Sequence, residues 1–402
     1  MISFADIEDA RERIKDQVYL TPFPYSETIS RMTGSRVFFK LENLQMTGSF
    51  KERGALNRLL ALTSDEAQRG VIAASAGNHG MAVAFHTRRL GIAATIVMPL
   101  QAPLIKVSSV RRYGAQAVLY GEDYAAAFQE AQRISNERAL TFIHAFNHPL
   151  IVAGQGTIGL ELYEQNPDLD AVLVPVGGGG LVAGIALALK TLKPSVRVIG
   201  VQAEAIPSMK VALEQDQIVR VPAAATIADG IAVRAPGDET FPMVKRFVDE
   251  IVTVSEGEIA NAVLMLLEIE KTVAEGAAAV SLAALVSGKV ALGGKNVGLI
   301  VSGGNIDMNL IARIIETGLI QDGRLTRLSV VISDRPGSLA RLAQRLAALG
   351  ANILQINQTR GFGQTAIGET EVELTLETTG REHSESICAG LRADGLKIKT
   401  KS

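Results

Sequence analysis

Residues 170–190 read DAVLVPVGGGGLVAGIALALK, which is an apolar run, four consecutive glycines and an Ala/Leu-rich stretch. The part from Ala171 to Leu189 carries no charge and is nearly long enough to span a bilayer. Pro175 and the four glycines interrupt it, however, and they would break a spanning helix in its middle. We therefore predict a buried strand, a glycine turn and a helix here, and no membrane span.

The same pattern recurs from the N-terminus to about residue 320, where short apolar runs alternate with Ala/Leu-rich helical stretches. The other runs are RVFFKLE (36–42), GVIAAS (70–75), ATIVMP (94–99), VRVIGVQ (196–202) and VGLIVSGG (297–304). Runs that are apolar at nearly every position are typical of parallel strands covered on both faces. They predict an α/β fold that binds its ligand beyond the carboxyl ends of the strands.

The pattern changes after the turn QDG at 321–323. The segments RLTRLSVVIS, ANILQINQT and ETEVELTLET read as strands, residues 338–349 and 382–392 as helices, and 396–399 as a last strand. This β-α-β-β-α-β order predicts a small ferredoxin-like α+β module. We divide the chain into a catalytic domain at 1–320, with a smaller subdomain within roughly 40–145, a linker at 321–324, and a module at 325–402.

The composition excludes several classes of partner. There are 40 Lys and Arg against 42 Asp and Glu, with both signs scattered, so no basic stripe is available for a nucleic acid backbone. The lone Cys388 excludes an internal disulfide framework and a thiolate metal site. The first residues, MISFADIEDARERI, lack the basic start and apolar stretch of a secretory signal. These features favour a protein of the reducing cytosol.

The glycine quartet is a candidate phosphate site. Glycines let the backbone wrap closely round an anion, and the free N–H groups at the start of the following helix supply the binding. Gly178, Gly180 and Ala183 also satisfy the loose G-x-G-x-x-A form of a dinucleotide turn, with Glu204 somewhat beyond the expected offset. A nicotinamide-dependent dehydrogenase therefore stays open from this segment alone.

Lys51 lies in QMTGSFKERG (45–54), a turn that leads into the helix ALNRLLAL. The dipole at a helix N-terminus and buried surroundings both disfavour an ammonium ion, so the pKa of Lys51 should fall. A neutral amine is the form that attacks an aldehyde. Taken alone, the segment also fits an ordinary surface lysine beside Glu52 and Arg53.

The separated motifs resemble, in order, those of the pyridoxal-phosphate enzymes of the threonine dehydratase group. They are TGSFKERGALNRL, SAGNHGMAVA, the glycine quartet, TIADGIAV, AEGAAA and SGGN, within about residues 5–320. The resemblance implies a fold type II enzyme, with two open twisted α/β subdomains and pyridoxal 5'-phosphate as cofactor. The tail from Leu325, with its DRPGSL turn, resembles an ACT regulatory domain, which the medium-length threonine ammonia-lyases carry as a single copy.

The resemblance also assigns roles to residues. Lys51 would bind the cofactor as an imine, Phe50 would pack against its ring, and Asn78 would contact its phenolic oxygen. Ser302 would face the pyridine nitrogen, and Glu275 would lie near the cofactor, with a partly exposed helical position left open as the alternative for Glu275. The phosphate would be held by Gly177, Gly178, Gly179 and Gly180, and the substrate carboxylate by Ser75, Ala76, Gly77, Asn78 and His79. Contacts to an isoleucine or valine effector would come from Pro336, Gly337, Ser338 and Asn352.

The function that the resemblance implies is deamination of L-threonine to 2-oxobutanoate and ammonia, and of L-serine to pyruvate, by a homotetramer. Related serine racemases have a second Ser where this chain has Ala76, so racemisation should be minor. Their acidic metal ligands are replaced by Gln202 and Ser208, and we predict no metal site. A serine or threonine racemase, the dehydrogenase and a non-catalytic amino-acid sensor stay open as alternatives.

The histidines carry less weight. His144 and His148 have the i, i+4 spacing of a helical metal pair, but Pro149 ends the stretch and no Glu stands where a zinc protease needs one. We therefore interpret both as loop contacts. His86 and His383 are interpreted as ordinary polar residues.

Overall fold

The apolar runs of the sequence form β-strands in the computed structural model, which describes residues 1–102, 104–359 and 366–401. The described chain forms two compact units, Met1–Ile306 and Asp307–Ser402. The strands of the first unit are β1 Tyr25–Ser26, β2 Arg36–Leu41, β3 Val71–Ala74, β4 Ala94–Met98, β5 Gln116–Leu119, β6 Thr141–Phe142, β7 Ala171–Pro175, β8 Arg197–Ala203, β9 Glu250–Val254 and β10 Asn296–Val301.

Two sheets build the first unit, as expected of an α/β fold. The larger has the order β1-β2-β10-β7-β8-β9 and is parallel except for the short β1, and the smaller has the order β5-β4-β3-β6 and is parallel throughout. Strands β3, β7 and β10 are buried along almost their whole length, which explains why their sequences are apolar rather than alternating. The smaller sheet lies within residues 71–142.

Helices join successive strands of the first unit. They are α1 Phe4–Ile14, α2 Glu27–Thr33, α3 Lys51–Leu60, α4 Ser64–Arg69, α5 Asn78–Leu90, α6 Leu104–Arg112, α7 Tyr124–Arg138, α8 Pro149–Gln165, α9 Gly180–Leu192, α10 Ser208–Gln215, α11 Phe241–Phe247, α12 Glu256–Glu268 and α13 Gly276–Val286, with short 3-10 turns at Glu42–Leu44 and Asp229–Ile231. The uncharged stretch 171–189 is β7, the glycine turn and α9, as predicted. Among the described residues, no helix is long and apolar enough to cross a bilayer.

Glycines allow three of these helices to pack backbone against backbone. A Cβ on Gly154 of α8 would lie 2.7 Å from the carbonyl oxygen of Arg53 and from the Cα of Gly54, both in α3. A Cβ on Gly184 of α9 would lie 2.5 Å from the carbonyl oxygen of Val152 in α8. Since real Cβ atoms do not approach so closely, glycine at these crossings holds α3 and α9 close to α8.

The second unit consists of α14 Met308–Gln321, β11 Leu325–Ser333, α15 Ser338–Ala348, β12 Asn352–Thr359, β13 Glu369–Glu377, α16 Arg381–Ala393 and β14 Lys397–Lys401. Its antiparallel sheet has the order β12-β13-β11-β14, which is the ferredoxin-like order. Residues from 325 onward therefore have the predicted β-α-β-β-α-β sequence of elements. Apolar residues of the sheet and of both following helices form its core.

The boundary between the two units lies after Ile306, whereas the sequence predicts a linker at 321–324. Helix α14 falls in the second unit, where Glu316 pairs with Arg327 of β11 at 2.8 Å. The turn at 321–323 thus lies inside the second unit, and the glycine-containing turn SGGN at 302–305 lies close to the end of the first. Both turns contain glycine, so the sequence alone does not show which of them lies nearer the boundary.

Candidate active site

The carboxyl ends of three neighbouring strands, β2, β10 and β7, meet at the segments that the sequence marks as functional. The backbone N–H of Phe50 donates to the carbonyl oxygen of Ser302 at 3.0 Å, and that of Gly304 donates to Gly48 at 2.9 Å. Ser49 and Gly303 form an isolated antiparallel bridge between these two contacts. The turn after β2 is thereby joined to the turn after β10, directly before α3 begins.

Lys51 is the first residue of α3, at the helix N-terminus where the sequence places it. Its side chain is partly exposed, lies over the ring of Phe50 with Nζ 5.1 Å from the ring centroid, and donates to the carbonyl oxygen of Ala145 at 2.9 Å. Burial lowers the pKa of Lys51 to about 8, against the opposing effect of the Glu275 carboxylate. A substantial fraction of this amine is therefore neutral near physiological pH.

A buried cluster of charges, here called the Arg53 cluster, holds α3 two residues after Lys51. Arg53 donates to both oxygens of Glu42, at 2.7 and 2.8 Å, and to both oxygens of Glu161, at 2.6 and 2.9 Å. Lys40 donates to Glu161 at 2.5 Å and to the carbonyl oxygen of Thr21 at 2.9 Å. The two cations and two carboxylates balance, and they join β2, α3, α8 and the N-terminal segment.

The glycine quartet has the geometry of a close turn into α9. Gly179 has a φ of +97°, which side chains rarely adopt, and Thr240 Oγ1 donates to the carbonyl oxygen of Gly178 at 2.5 Å. A Cβ on Gly178 would lie 2.2 Å from the ring of Phe146, and one on Gly180 would lie 2.9 Å from that residue's carbonyl oxygen. No side chain of the described residues caps the start of α9. Its first N–H groups suit an anion such as a phosphate.

Asn78 and Glu275 form a second part of the site. Asn78, the first residue of α5, donates from Nδ2 to Glu275 Oε1 at 2.8 Å, and its Oδ1 accepts from Asn305 Nδ2 at 2.9 Å. Glu275 precedes α13 and is buried, so the alternative of a partly exposed helical residue is wrong. Burial, followed by the negative charge of Asp229, raises the pKa of Glu275 to about 7.

The segment from Ser75 to His79 runs from the end of β3 into α5, whose first two residues are Asn78 and His79. Ser75 Oγ accepts from the N–H of Gly77 at 3.1 Å. His79 is buried, and its Nε2 lies 2.8 Å from the carbonyl oxygen of Ile143. Burial and the nearby Lys51 lower the pKa of His79 to about 3, so the ring is neutral. Ala76 and Gly77 lie between the end of β3 and the start of α5.

The loop at 143–148 is a part of the site that we did not predict. His144 accepts N–H bonds from Phe146 and Asn147 at 3.2 and 2.9 Å, and burial and Lys51 lower its pKa to about 4. His148 accepts from the N–H of Leu150 at the start of α8. The interpretation of both histidines as loop contacts is confirmed. Because the loop also supplies the carbonyl that Lys51 contacts and the ring beside Gly178, it links the amine to the glycine turn.

The arrangement combines a lysine whose lowered pKa leaves part of its amine neutral, an aromatic ring beside it and an uncapped helix start that suits an anion. An aldehyde that carries a phosphate satisfies both ends of such a site: the amine attacks its carbonyl carbon, and the helix start binds its charge. Ser302 is buried and directly follows β10, the strand that lies between β2 and β7 in the larger sheet. The residues present therefore fit pyridoxal phosphate.

Comparison with known proteins agrees with this chemistry. Residues 14–303 match the family described as pyridoxal-phosphate dependent enzyme. The chain is 47% identical over 399 residues, 99% of each chain, to an L-threonine ammonia-lyase of Thermotoga maritima. It is similar to the structure of maize serine racemase, with a TM-score of 0.75 at 35% identity over 79% of this chain and 98% of that one. It is also similar to threonine deaminase isoform 2 of Solanum lycopersicum, with a TM-score of 0.74 at 35% identity over 78% and 92%.

The lowered pKa of Lys51 predicts an unusual reactivity. In cofactor-free protein, competitive acetylation of Lys51, followed by mass spectrometry of its peptide, should rise with pH through a midpoint near 8, because only the neutral amine reacts. Glu275→Gln removes the carboxylate that stabilises the ammonium form, so the midpoint should move to lower pH in that variant. A midpoint near the value of about 10.4 for an unperturbed lysine would contradict the assignment.

Proposed function

This chain belongs to the pyridoxal-phosphate-dependent enzymes, and we propose that it is a threonine ammonia-lyase, which converts L-threonine to 2-oxobutanoate and ammonia and L-serine to pyruvate and ammonia. The observation that carries the proposal is the amine of Lys51, with its pKa lowered to about 8, at the joined ends of β2 and β10. The name of the Thermotoga maritima relative, at 47% identity over nearly the whole of both chains, supports threonine as the substrate.

Several groups would hold the cofactor. Lys51 would bind it covalently, Phe50 would lie against its ring, and Gly177–Gly180 with the start of α9 would bind its phosphate. Asn78 would donate toward the ring's phenolic oxygen while its own position is fixed by Asn305. The dehydrogenase alternative, which rested on the spacing of the same glycines, has no support from the family match.

The proposed mechanism uses Lys51 twice, first as the amine that binds the cofactor and then as the base that takes a proton from the substrate. The bound cofactor supplies an electron sink for negative charge at the substrate α-carbon. With the substrate bound, the free amine of Lys51 would take the α-proton in its neutral form, which its lowered pKa makes available. The segment 75–79 would hold the substrate carboxylate. Loss of the β-hydroxyl and hydrolysis then yield the keto acid and ammonia.

Two residues favour elimination over related reactions. Ser302 presents a hydroxyl rather than a carboxylate, and a hydroxyl stabilises a protonated pyridine nitrogen poorly. The cofactor is then a weaker electron sink, which favours prompt loss of the β-hydroxyl. Ala76 offers no acid where the racemase relatives place a serine, so the opposite face of the α-carbon has no proton donor from that position. Both features favour a lyase over a racemase.

The second unit supports a proposal about regulation. Its ferredoxin-like sheet order agrees with an ACT-like domain at 325–402. Gly337, with a φ of +84°, directly precedes α15, and Ser338 is the first residue of that helix. Asn352 is the first residue of β12 and donates to Glu377 at 2.9 Å. We propose that Pro336, Gly337, Ser338 and Asn352 contact isoleucine or valine in a homotetramer. Such a ligand changes activity only if it binds two states of the assembly with different affinity.

A keto-acid assay tests the proposed reaction. The purified enzyme with pyridoxal phosphate should form 2-oxobutanoate from L-threonine and pyruvate from L-serine, and Lys51→Ala should lose at least about three orders of magnitude in kcat because it lacks the base. Chiral analysis of the serine that remains after incubation with L-serine should show little D-serine. Normal turnover by Lys51→Ala would contradict the role of the lysine. Binding of amino acids without any keto acid would favour the sensor alternative, and rapid formation of D-serine would favour the racemase.

A separate titration tests the regulatory proposal. L-isoleucine or L-valine should change the turnover of L-threonine by the full chain and should give a saturable signal in calorimetry, whereas D-isoleucine, the matched control ligand, should do neither. The response should accompany a tetramer in sedimentation experiments. Activity that is flat across the titration, with no heat of binding, would overturn the proposal and leave the catalytic assignment in place.

A further inference from the structure

Glu52 and His86 form a buried pair that has no part in the mechanism above. Both residues are fully buried, and Glu52 Oε2 lies 3.6 Å from His86 Nε2. Within the described ranges, neither this oxygen nor either ring nitrogen of His86 has a hydrogen-bond partner. At this separation the two groups are close enough for an ion pair but not for a hydrogen bond, so each is placed to offset part of the cost of burying the other. Glu52 directly follows Lys51, and His86 lies two turns after Asn78 on α5.

The second oxygen of Glu52 reaches the turn that precedes Lys51. Glu52 Oε1 accepts the backbone N–H of Thr47. The carbonyl oxygen of Thr47 accepts from Asn305 Nδ2 at 2.7 Å, and the same nitrogen donates to Asn78 Oδ1 at 2.9 Å. The contacts thus run from His86 through Glu52, Thr47 and Asn305 to Asn78, and they return to the helix on which they began.

This closed series of contacts constrains one side chain above all. The Oδ1 of Asn78 is held by Asn305, and its Nδ2 donates to Glu275 at 2.8 Å. The carboxamide of Asn305 lies against Gly48, where a Cβ would come within 2.9 Å of its Oδ1. A shift of Thr47 would therefore move Asn305 and release one end of the Asn78 carboxamide.

We propose that Glu52 and His86 are positioning residues, which fix the turn at 47–49 and, through Asn305, orient Asn78 toward the cofactor. The inference rests on the proposed placement of the cofactor beside Asn78. It concerns binding and orientation of the cofactor, and it is independent of which amino acid is the substrate.

Three variants separate positioning from simple packing. His86→Phe keeps an aromatic ring but removes the polar partner of Glu52. The double variant Glu52→Leu, His86→Phe removes both polar groups, so no buried carboxylate is left unpaired, yet the N–H of Thr47 loses its acceptor. Thr87→Val is the matched control, because the Thr87 hydroxyl is buried beside His86 but bonds only within its own helix, to Val83 and Ala84.

Each variant is compared with the wild type in two measurements. The melting temperature of the cofactor-free protein reports stability, and a fluorescence titration with pyridoxal phosphate, together with the visible circular dichroism of the bound cofactor, reports its affinity and orientation. His86→Phe should lower the melting temperature and weaken cofactor binding at least tenfold. In the double variant, the melting temperature should return toward the wild-type value while the tenfold weakening and the altered dichroism remain.

The controls decide between the two interpretations. Thr87→Val should lower the melting temperature and leave cofactor affinity unchanged. His86→Gln, whose amide can donate to Glu52, should keep the affinity within threefold of the wild type, and it serves also if the double variant does not fold. Wild-type affinity and dichroism in His86→Phe would overturn the proposal. A wild type that binds the cofactor but makes no keto acid would instead contradict the proposed function alone.

Discussion

The Arg53 cluster, which consists of Lys40, Glu42, Arg53 and Glu161, fixes the position of Lys51 at the start of α3. Arg53 lies between Glu42 and Glu161, Lys40 completes the balance of charge, and all four side chains are withdrawn from water. Burial alone would raise the pKa of Glu42, but the charge and hydrogen bonds of Arg53, together with the charge of Lys40 and the hydrogen bond from Thr21, outweigh it, and the pKa is lowered. Removing one member of such a cluster leaves an uncompensated buried charge, at a cost of about 3–5 kcal/mol. The start of α3 is therefore fixed relative to the sheet.

The contrast between Arg53 and Lys51 explains how one helical turn holds two different cations. Arg53 has two carboxylate partners, whereas the nitrogen of Lys51 contacts a carbonyl oxygen. Burial lowers the pKa of Lys51, which forms no ion pair with any residue in the described part of the chain. The same helix therefore keeps the charge of Arg53 and loses that of Lys51 as the pH rises through about 8. The glycine crossings of α3 and α9 with α8 bring this turn and the glycine quartet to the same helix. The packing of α3 thus determines both the position of Lys51 and its lowered pKa.

Local sequence signals predicted much of this arrangement. The β7, glycine turn and α9 unit, the position of Lys51 at a helix start, and the order of elements from residue 325 all follow from patterns within about twenty residues. The contacts of Glu52, Arg53, His86 and Asn305 did not, because their partners lie at distant positions in the chain and no periodicity records them. Glu52 and Arg53 fitted an exposed turn equally well, yet both are buried. The loop at 143–148 was missed as part of the site for the same reason.

Trapping the cofactor on the protein tests the central claim most directly. The active holoenzyme is reduced with borohydride and digested, and its peptides are sequenced by mass spectrometry. We expect a single phosphopyridoxyl adduct, on the side chain of Lys51, and none on that peptide in Lys51→Ala. An adduct on another lysine, or no adduct in fully active protein, would contradict it.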